Sequence, residues 1–221
     1  LIDRLSASGL RRMEAVSFVH PERVPQMAGA EEVMAAIKRP DGVQFAGLAL
    51  NLRGAERAID AGVDEVRFVV VASESFNQRN QGASIETTLT DFEAVSDLVA
   101  KAGLTLTATI GAAFGCPFEG DVPLAQVVNI AKNLVGSGAS EINLADTIGA
   151  LCAGPHLPEG AGTTTTESKT NFLRPVTAGA VTITATPVNV GRPLVVVQTD
   201  ITREDGKLVT RTTQTQLVLT R

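Results

Sequence analysis

The 221-residue chain is poor in several residue types, and each shortage excludes something. Its two cysteines, Cys116 and Cys152, are too few for a disulfide framework or a structural zinc site. A reducing, cytoplasmic compartment is therefore expected. Its two histidines, His20 and His156, have no second His or Cys at ligand spacing, so both read as loop residues. No window holds 18 consecutive apolar residues, which excludes a transmembrane helix. No basic stretch followed by an apolar core marks a secretory signal. There is no long basic run, and the formal net charge is -5, which argues against nucleic acid and membrane as partners. The first residue is Leu rather than Met, as expected of a fragment. A 44% hydrophobic and 19% charged composition fits a folded globular chain.

Composition changes near residue 150. Of 23 threonines, 16 fall in 150–221. Residues 1–149 carry 12 basic and 19 acidic side chains, whereas 150–221 carry 7 and 5. A change this sharp points to a domain boundary between 149 and 150.

The first part reads as repeated βα units. Gly9, Gly62, Gly103 and Gly138 stand where a helix C-terminus needs a left-handed residue, and a short apolar run follows each. Such runs suit parallel strands buried on both faces. A further run, VQFAGLALN, lies between the first and second. Ser84 is placed to N-cap a helix over about 85–102, and Asp121 with Pro123 marks the start of the next. About five strands with alternating helices give an α/β class. A closed (β/α)8 barrel takes about 250 residues, so this stretch can supply only part of one.

The second part reads as four antiparallel strands rich in Thr and Val. Val181, Ile183 and Ala185 alternate with Thr182, Thr184 and Thr186, which places one face on a core. Asp205-Gly206 signals a hairpin, and Pro175 with Gly179 and Gly191 with Pro193 punctuate the other strands. A meander is expected, with almost no room for a helix to cover it.

Chemistry on a parallel barrel belongs at the C-terminal ends of its strands. The candidates there are Glu14 and Ser17, then Asn51, Ser73 and Glu74, then Cys116 and Glu119, then Asn143, Asp146 and Thr147. Converging acids could hold a divalent metal or serve as acid and base, and they could equally cap helices. Cys116, followed by Pro117, reads as a small buried residue rather than a nucleophile.

The segments EAVSFVHPERVPQMAG (14–29), LALNLRGAERAIDAGVDEV (48–66), VASESFNQRNQGASIETTLTDFEAV (71–95), GCPFEG (115–120) and EINLADTIGA (141–150) resemble the hydroxymethylglutaryl-CoA lyase family, in the family's order. The resemblance implies a TIM barrel and leucine degradation. It also implies cleavage of 3-hydroxy-3-methylglutaryl-CoA to acetyl-CoA and acetoacetate with Mg²⁺ or Mn²⁺ as cofactor. It makes Glu14 the glutamate that positions a catalytic arginine and Asp146 the aspartate near metal and substrate. Ser17 and Asn143 become substrate-binding rim positions, although many members carry Ser at the latter. Cys116 matches a cysteine of the GCP segment, not the mobile-loop one. The segment carrying the family's catalytic arginine and metal-binding aspartate has no match here, nor has its later His-x-His pair. The resemblance therefore implies an impaired or inactive enzyme that does not bind the metal.

Residues 157–221, with LPEGAGTTTTESKTNFLRPVTAG, resemble the C-terminal half of a PaaI-type hotdog acyl-CoA thioesterase, a family that forms oligomers. LADTIGALCA (144–153) satisfies both patterns, so Asp146 could be either family's acid. A partial lyase barrel (1–149) joined to a partial hotdog sheet (150–221) is the expectation. Thioesterase activity and an inactive chimera are the alternatives. Both families act on CoA thioesters, so a CoA thioester is the expected partner, and a homo-oligomer is the expected assembly.

Overall fold

The computed structural model describes residues 2–145, 147–159, 161–174 and 180–219. It divides into one unit of Leu1–Gly111 with Pro123–Leu144 and a second of Ala112–Val122 with Ala145–Arg221.

The first unit begins with α1 (Ile2–Ala7) and then alternates strand and helix: β1 (Arg12–Ser17), α2 (Ala30–Ala36), β2 (Gln44–Ala49), α3 (Leu52–Asp60), β3 (Glu65–Val71), α4 (Glu74–Gln81), α5 (Ile85–Lys101), β4 (Thr105–Gly111), α6 (Leu124–Gly136) and β5 (Ile142–Leu144). The five strands are parallel and lie in chain order. Gly9, Gly62, Gly103 and Gly138 all have positive φ, as the helix ends require. Ser84 Oγ accepts the Thr87 N–H at 3.1 Å and caps α5. Pro123 precedes α6, whose start has no side-chain cap.

One face of this sheet packs on the helices. Phe45, Val66, Phe68, Val70, Ala108 and Ile110 are fully buried there. Phe68 meets Phe92 of α5 edge-on at 5.4 Å, and Gly54 brings α3 close to Ala49. The other face is mixed: it buries Ala46 and Val71, as expected of strands buried on both faces, but charged and polar side chains stand beside them. It carries Arg12, Glu14, Glu65, Arg67 and Thr107, with Glu141 just before β5. Strand alternation explains this: one residue in two turns toward the helices, and its neighbours turn toward the barrel axis.

Curvature is visible in one ion pair. β1 and β5 stand at opposite edges of the sheet, about 19 Å apart along it at ~4.8 Å per gap. Yet Arg12 Nη1 lies 2.7 Å from Glu141 Oε2. The five strands therefore bend into part of a barrel whose axis these side chains fill.

The second unit holds α7 (Thr147–Ala153) and an antiparallel sheet of β6 (Gly162–Phe172), β7 (Val181–Val190), β8 (Leu194–Arg203) and β9 (Leu208–Leu219). The sheet order is β6-β9-β8-β7. This corrects the meander: β7, β8 and β9 follow one another, but β6 lies beside β9 instead of β7. Local turn signals cannot reveal such a return, because it is a long-range pairing. Gly206, with φ +75°, makes the expected β8–β9 turn, and the Gly191 N–H donates to Leu194 O. The turn expected at Pro175 and Gly179 lies outside the described residues.

The second correction is the helix. α7 covers part of the sheet: Ala153, Val195 and Val197 are fully buried beside Val218, and Cys152, Leu157, Ala161 and Ala185 pack around them. Its sequence, TIGALCA, is small and short, so its period is too brief to stand out.

Candidate functional site

β1 carries a bulge that decides which of its side chains face the barrel axis. Glu14 pairs with Ala46, but Val16 pairs with Gly47 and Ser17 with Leu48. Ala46 and Leu48 share a face of β2. The extra residue therefore brings Ser17 onto the same concave face as Glu14, three positions away rather than two. Phe18 turns to the helix side, where it is buried against Gly47. Glu14 itself is the third residue of β1, below its C-terminal end. Asn143 pairs with Thr109 and shares the concave face. Its enclosed Nδ2 has no well-formed hydrogen bond among the described residues, and the nearby amide helps hold the Glu141 carboxyl below its ordinary pKa, after the larger effect of Arg12. Asp146 lies outside the described residues.

Around these positions runs an ionic network. Glu65, with a side chain only 3% exposed, receives Arg12 through Nε at 2.6 Å and Nη2 at 2.9 Å. It also accepts the Thr107 hydroxyl at 2.6 Å and Arg67 Nη2 at 2.9 Å. Burial pushes the Glu65 carboxyl up, but the hydrogen bonds from Arg12, Thr107 and Arg67 outweigh it and hold its pKa below the ordinary range. Arg67 Nη1 stands 3.5 Å from Glu14 Oε2. Glu14 sits in a concavity, so protein surrounds a carboxylate that still touches solvent. Lost solvation lifts its pKa, Arg67 works against the lift, and the Glu65 charge adds to it.

The other rim candidates do structural work. Asn51 Oδ1 accepts the Gly54 N–H at 2.9 Å and caps α3. Ser73 Oγ caps α4 through the Phe76 N–H at 3.3 Å, and Glu74 accepts the Ile85 N–H. Cys116 is buried, and its sulfur accepts the Phe118 N–H. Thr147 Oγ1 accepts the Ala112 N–H at 2.9 Å. His20 lines a cleft of about 400 Å³ with Phe18, Asn51, Arg53 and Arg57.

A divalent cation needs several free oxygen or nitrogen donors at one point. Among the described residues no three His, Cys, Asp or Glu side chains gather in that way. On the concave face, Arg12 engages Glu65 and Glu141, and Arg67 engages Glu14. The described donors do not fit such an ion.

Sequence reasoning missed Arg12, Glu65, Arg67, Thr107 and Glu141. A signal was present: Arg12 and Glu14, Glu65 and Arg67, Thr105, Thr107 and Thr109, and Glu141 and Asn143 recur with period two in strands that otherwise read as apolar.

Residues 1–155 match the HMGL-like family. The chain belongs to that family. A second match, to the Thioesterase superfamily, covers residues 138–210, so the two share 138–155. The 3-hydroxy-3-isohexenylglutaryl-CoA/hydroxy-methylglutaryl-CoA lyase of Pseudomonas aeruginosa is 44% identical over 154 residues, covering 70% of this chain and 51% of that protein. The HMG-CoA lyase structure from Bacillus subtilis is 40% identical with a TM-score of 0.66, over 67% of this chain and 50% of that one. The HMG-CoA lyase from Acinetobacter baumannii, solved in complex with coenzyme A and 3-methylmalate, is 33% identical with a TM-score of 0.65, over 67% and 48%. The chain spans about half the length of the curated relatives it matches. The partial parallel barrel and the antiparallel sheet expected from the sequence are both present. No helix among the described residues is long and apolar enough to cross a membrane.

Proposed function

We propose that this chain is a hydroxymethylglutaryl-CoA lyase relative that binds a CoA thioester at the concave face of its partial barrel but is impaired in cleaving the carbon–carbon bond. Glu14 is its inherited catalytic position, Ser17 and Asn143 are its substrate-binding positions, and Asp146 is a second inherited acid. One observation carries the reading. The concave face keeps Glu14, Ser17 and Asn143 on one side, while every described carboxylate there is engaged by an arginine. That arrangement supports substrate binding and positioning more than a metal-held hydroxyl. The coenzyme A reported with the Acinetobacter lyase supports the substrate class. The test is titration of 3-hydroxy-3-methylglutaryl-CoA into the full chain, with acetoacetate measured in the presence of Mg²⁺ or Mn²⁺. Binding without turnover is expected. Turnover at rates ordinary for enzymes, or no binding, would each defeat the proposal.

A second reading, acyl-CoA thioester hydrolysis, is favoured by the Thioesterase superfamily match and by α7 lying on the antiparallel sheet. Asp146 would be its acid. Release of free CoA from an aryl- or medium-chain acyl-CoA, lost in Asp146→Asn, would establish it. The shared stretch 138–155 supports a chimeric origin, with the parents joined near 149–150. Amplification across codons 130–170 as one product from the source DNA tests that origin. A cytoplasmic homo-oligomer completes the proposal.

A further inference from the structure

We infer that Arg67 is the positioning residue for Glu14, fixing the place and orientation of its carboxylate on the concave face. Arg67 is held at three points from three strands. Nη1 reaches Glu14 Oε2 on β1 at 3.5 Å, Nη2 reaches Glu65 Oε1 on its own strand at 2.9 Å, and Nε donates to Thr107 Oγ1 on β4 at 3.4 Å. A planar guanidinium anchored in this way has one orientation open to it. The strand between the partners permits the contact. Ala46 of β2 is in register with both Glu14 and Glu65, is fully buried, and is too small to separate them.

The charge balance around Glu14 singles out the same residue. Arg12 faces it from its own strand, Glu65 and Arg67 from β3, and Glu141 from beside β5. β2 and β4 contribute Ala46, Leu48, Thr107 and Thr109, which carry no charge. Arg12 is committed to Glu65 and Glu141 at 2.6 and 2.7 Å. Arg67 is the cation left to offset the Glu14 charge where solvation is reduced. The functional weight of the pair rests on the lyase reading of Glu14 above, but its electrostatics do not.

The test is a carbon-detected NMR titration of the Glu14 carboxyl in the full chain. Arg67→Met should raise the midpoint by about one pH unit or more, the range an opposite charge at this distance produces. Arg67→Lys should recover part of that, because an ammonium supplies charge without the fork. An unchanged midpoint in a folded Arg67→Met chain overturns the inference. If Arg67→Met does not fold, the wild-type Arg67 side-chain nitrogens give the answer: they should shift with the Glu14 midpoint, and a flat response overturns the pairing. Titration of 3-hydroxy-3-methylglutaryl-CoA separates the two proposals. Coupling without binding supports the pair and removes the lyase reading. Binding without coupling removes the pair alone.

Discussion

Arg12→Leu strips two charge-assisted hydrogen bonds from Glu65 and one from Glu141. Removing one partner of a fully buried ion pair costs about 3–5 kcal/mol. Two facts reduce that figure. The Arg12 side chain is itself 35% exposed, and Glu65 keeps Arg67 and Thr107. The Glu141 contact, 44% exposed on the acid side, adds less than about 1 kcal/mol. A loss of about 2 kcal/mol at neutral pH is expected, roughly thirtyfold in the opening equilibrium. The chain has no Trp and no Tyr, so urea unfolding should be followed through the β3 amide resonances. The pH dependence fixes the cause. The folded pKa of Glu65 is depressed, so its stabilisation is present above the unfolded value of about 4.3 and is lost as pH falls through the folded value. The gap between wild type and variant should therefore close in acid. A penalty below about 0.5 kcal/mol, or one that persists after Glu65 is protonated, would refute the argument.

Glu14→Gln should behave in the opposite sense. The folded pKa of Glu14 is raised, so ionisation opposes folding as pH climbs from the unfolded value through the folded one. The variant should be at least as stable as wild type at pH 7 by urea unfolding, and clear destabilisation would contradict the assignment. Gly47→Ala puts a methyl 2.6 Å from Phe18 Cε2 and 2.9 Å from Val63 Cγ1. It should cost about 2 kcal/mol and lower the thermal midpoint seen by far-UV circular dichroism; an unchanged midpoint would mean the Phe18 ring yields freely. Thr199 buries a hydroxyl that has no hydrogen-bond partner among the described residues. Thr199→Val should stabilise the second unit by about 1 kcal/mol in urea, and a loss of stability would show that the hydroxyl is in use.

The features legible in the sequence were local ones. Left-handed glycines, the Ser84 cap and the Asp205-Gly206 turn each depend on a few neighbouring residues, and each has its expected conformation; of the alternating Val181, Ile183 and Ala185, the last two are half-buried as expected, whereas Val181 at the strand's start is exposed. The lyase and thioesterase resemblances rested on ordered motifs, which survive without any geometry. What escaped was set by distant partners. A bulge between Glu14 and Val16 cannot be read from β1 alone, because it is defined by register against β2. Arg12 and Glu141 are 129 positions apart and meet only because the sheet curls. β6 beside β9 is likewise a pairing between remote segments. α7 was hidden by its brevity.

The Arg12–Glu141 contact acts as a tie-rod across an arch. A parallel sheet with two open ends is free to flatten, since its backbone bonds resist twisting of the ribbon more weakly than they resist separation of its strands. A side-chain link from first strand to last removes that freedom and fixes the span of the gap. Whatever strand lines up along β1 or β5 meets a bend already made and has no curvature to impose. The tie is electrostatic and partly wet, so added salt should slacken it and let the arch spread before any strand parts from its neighbour.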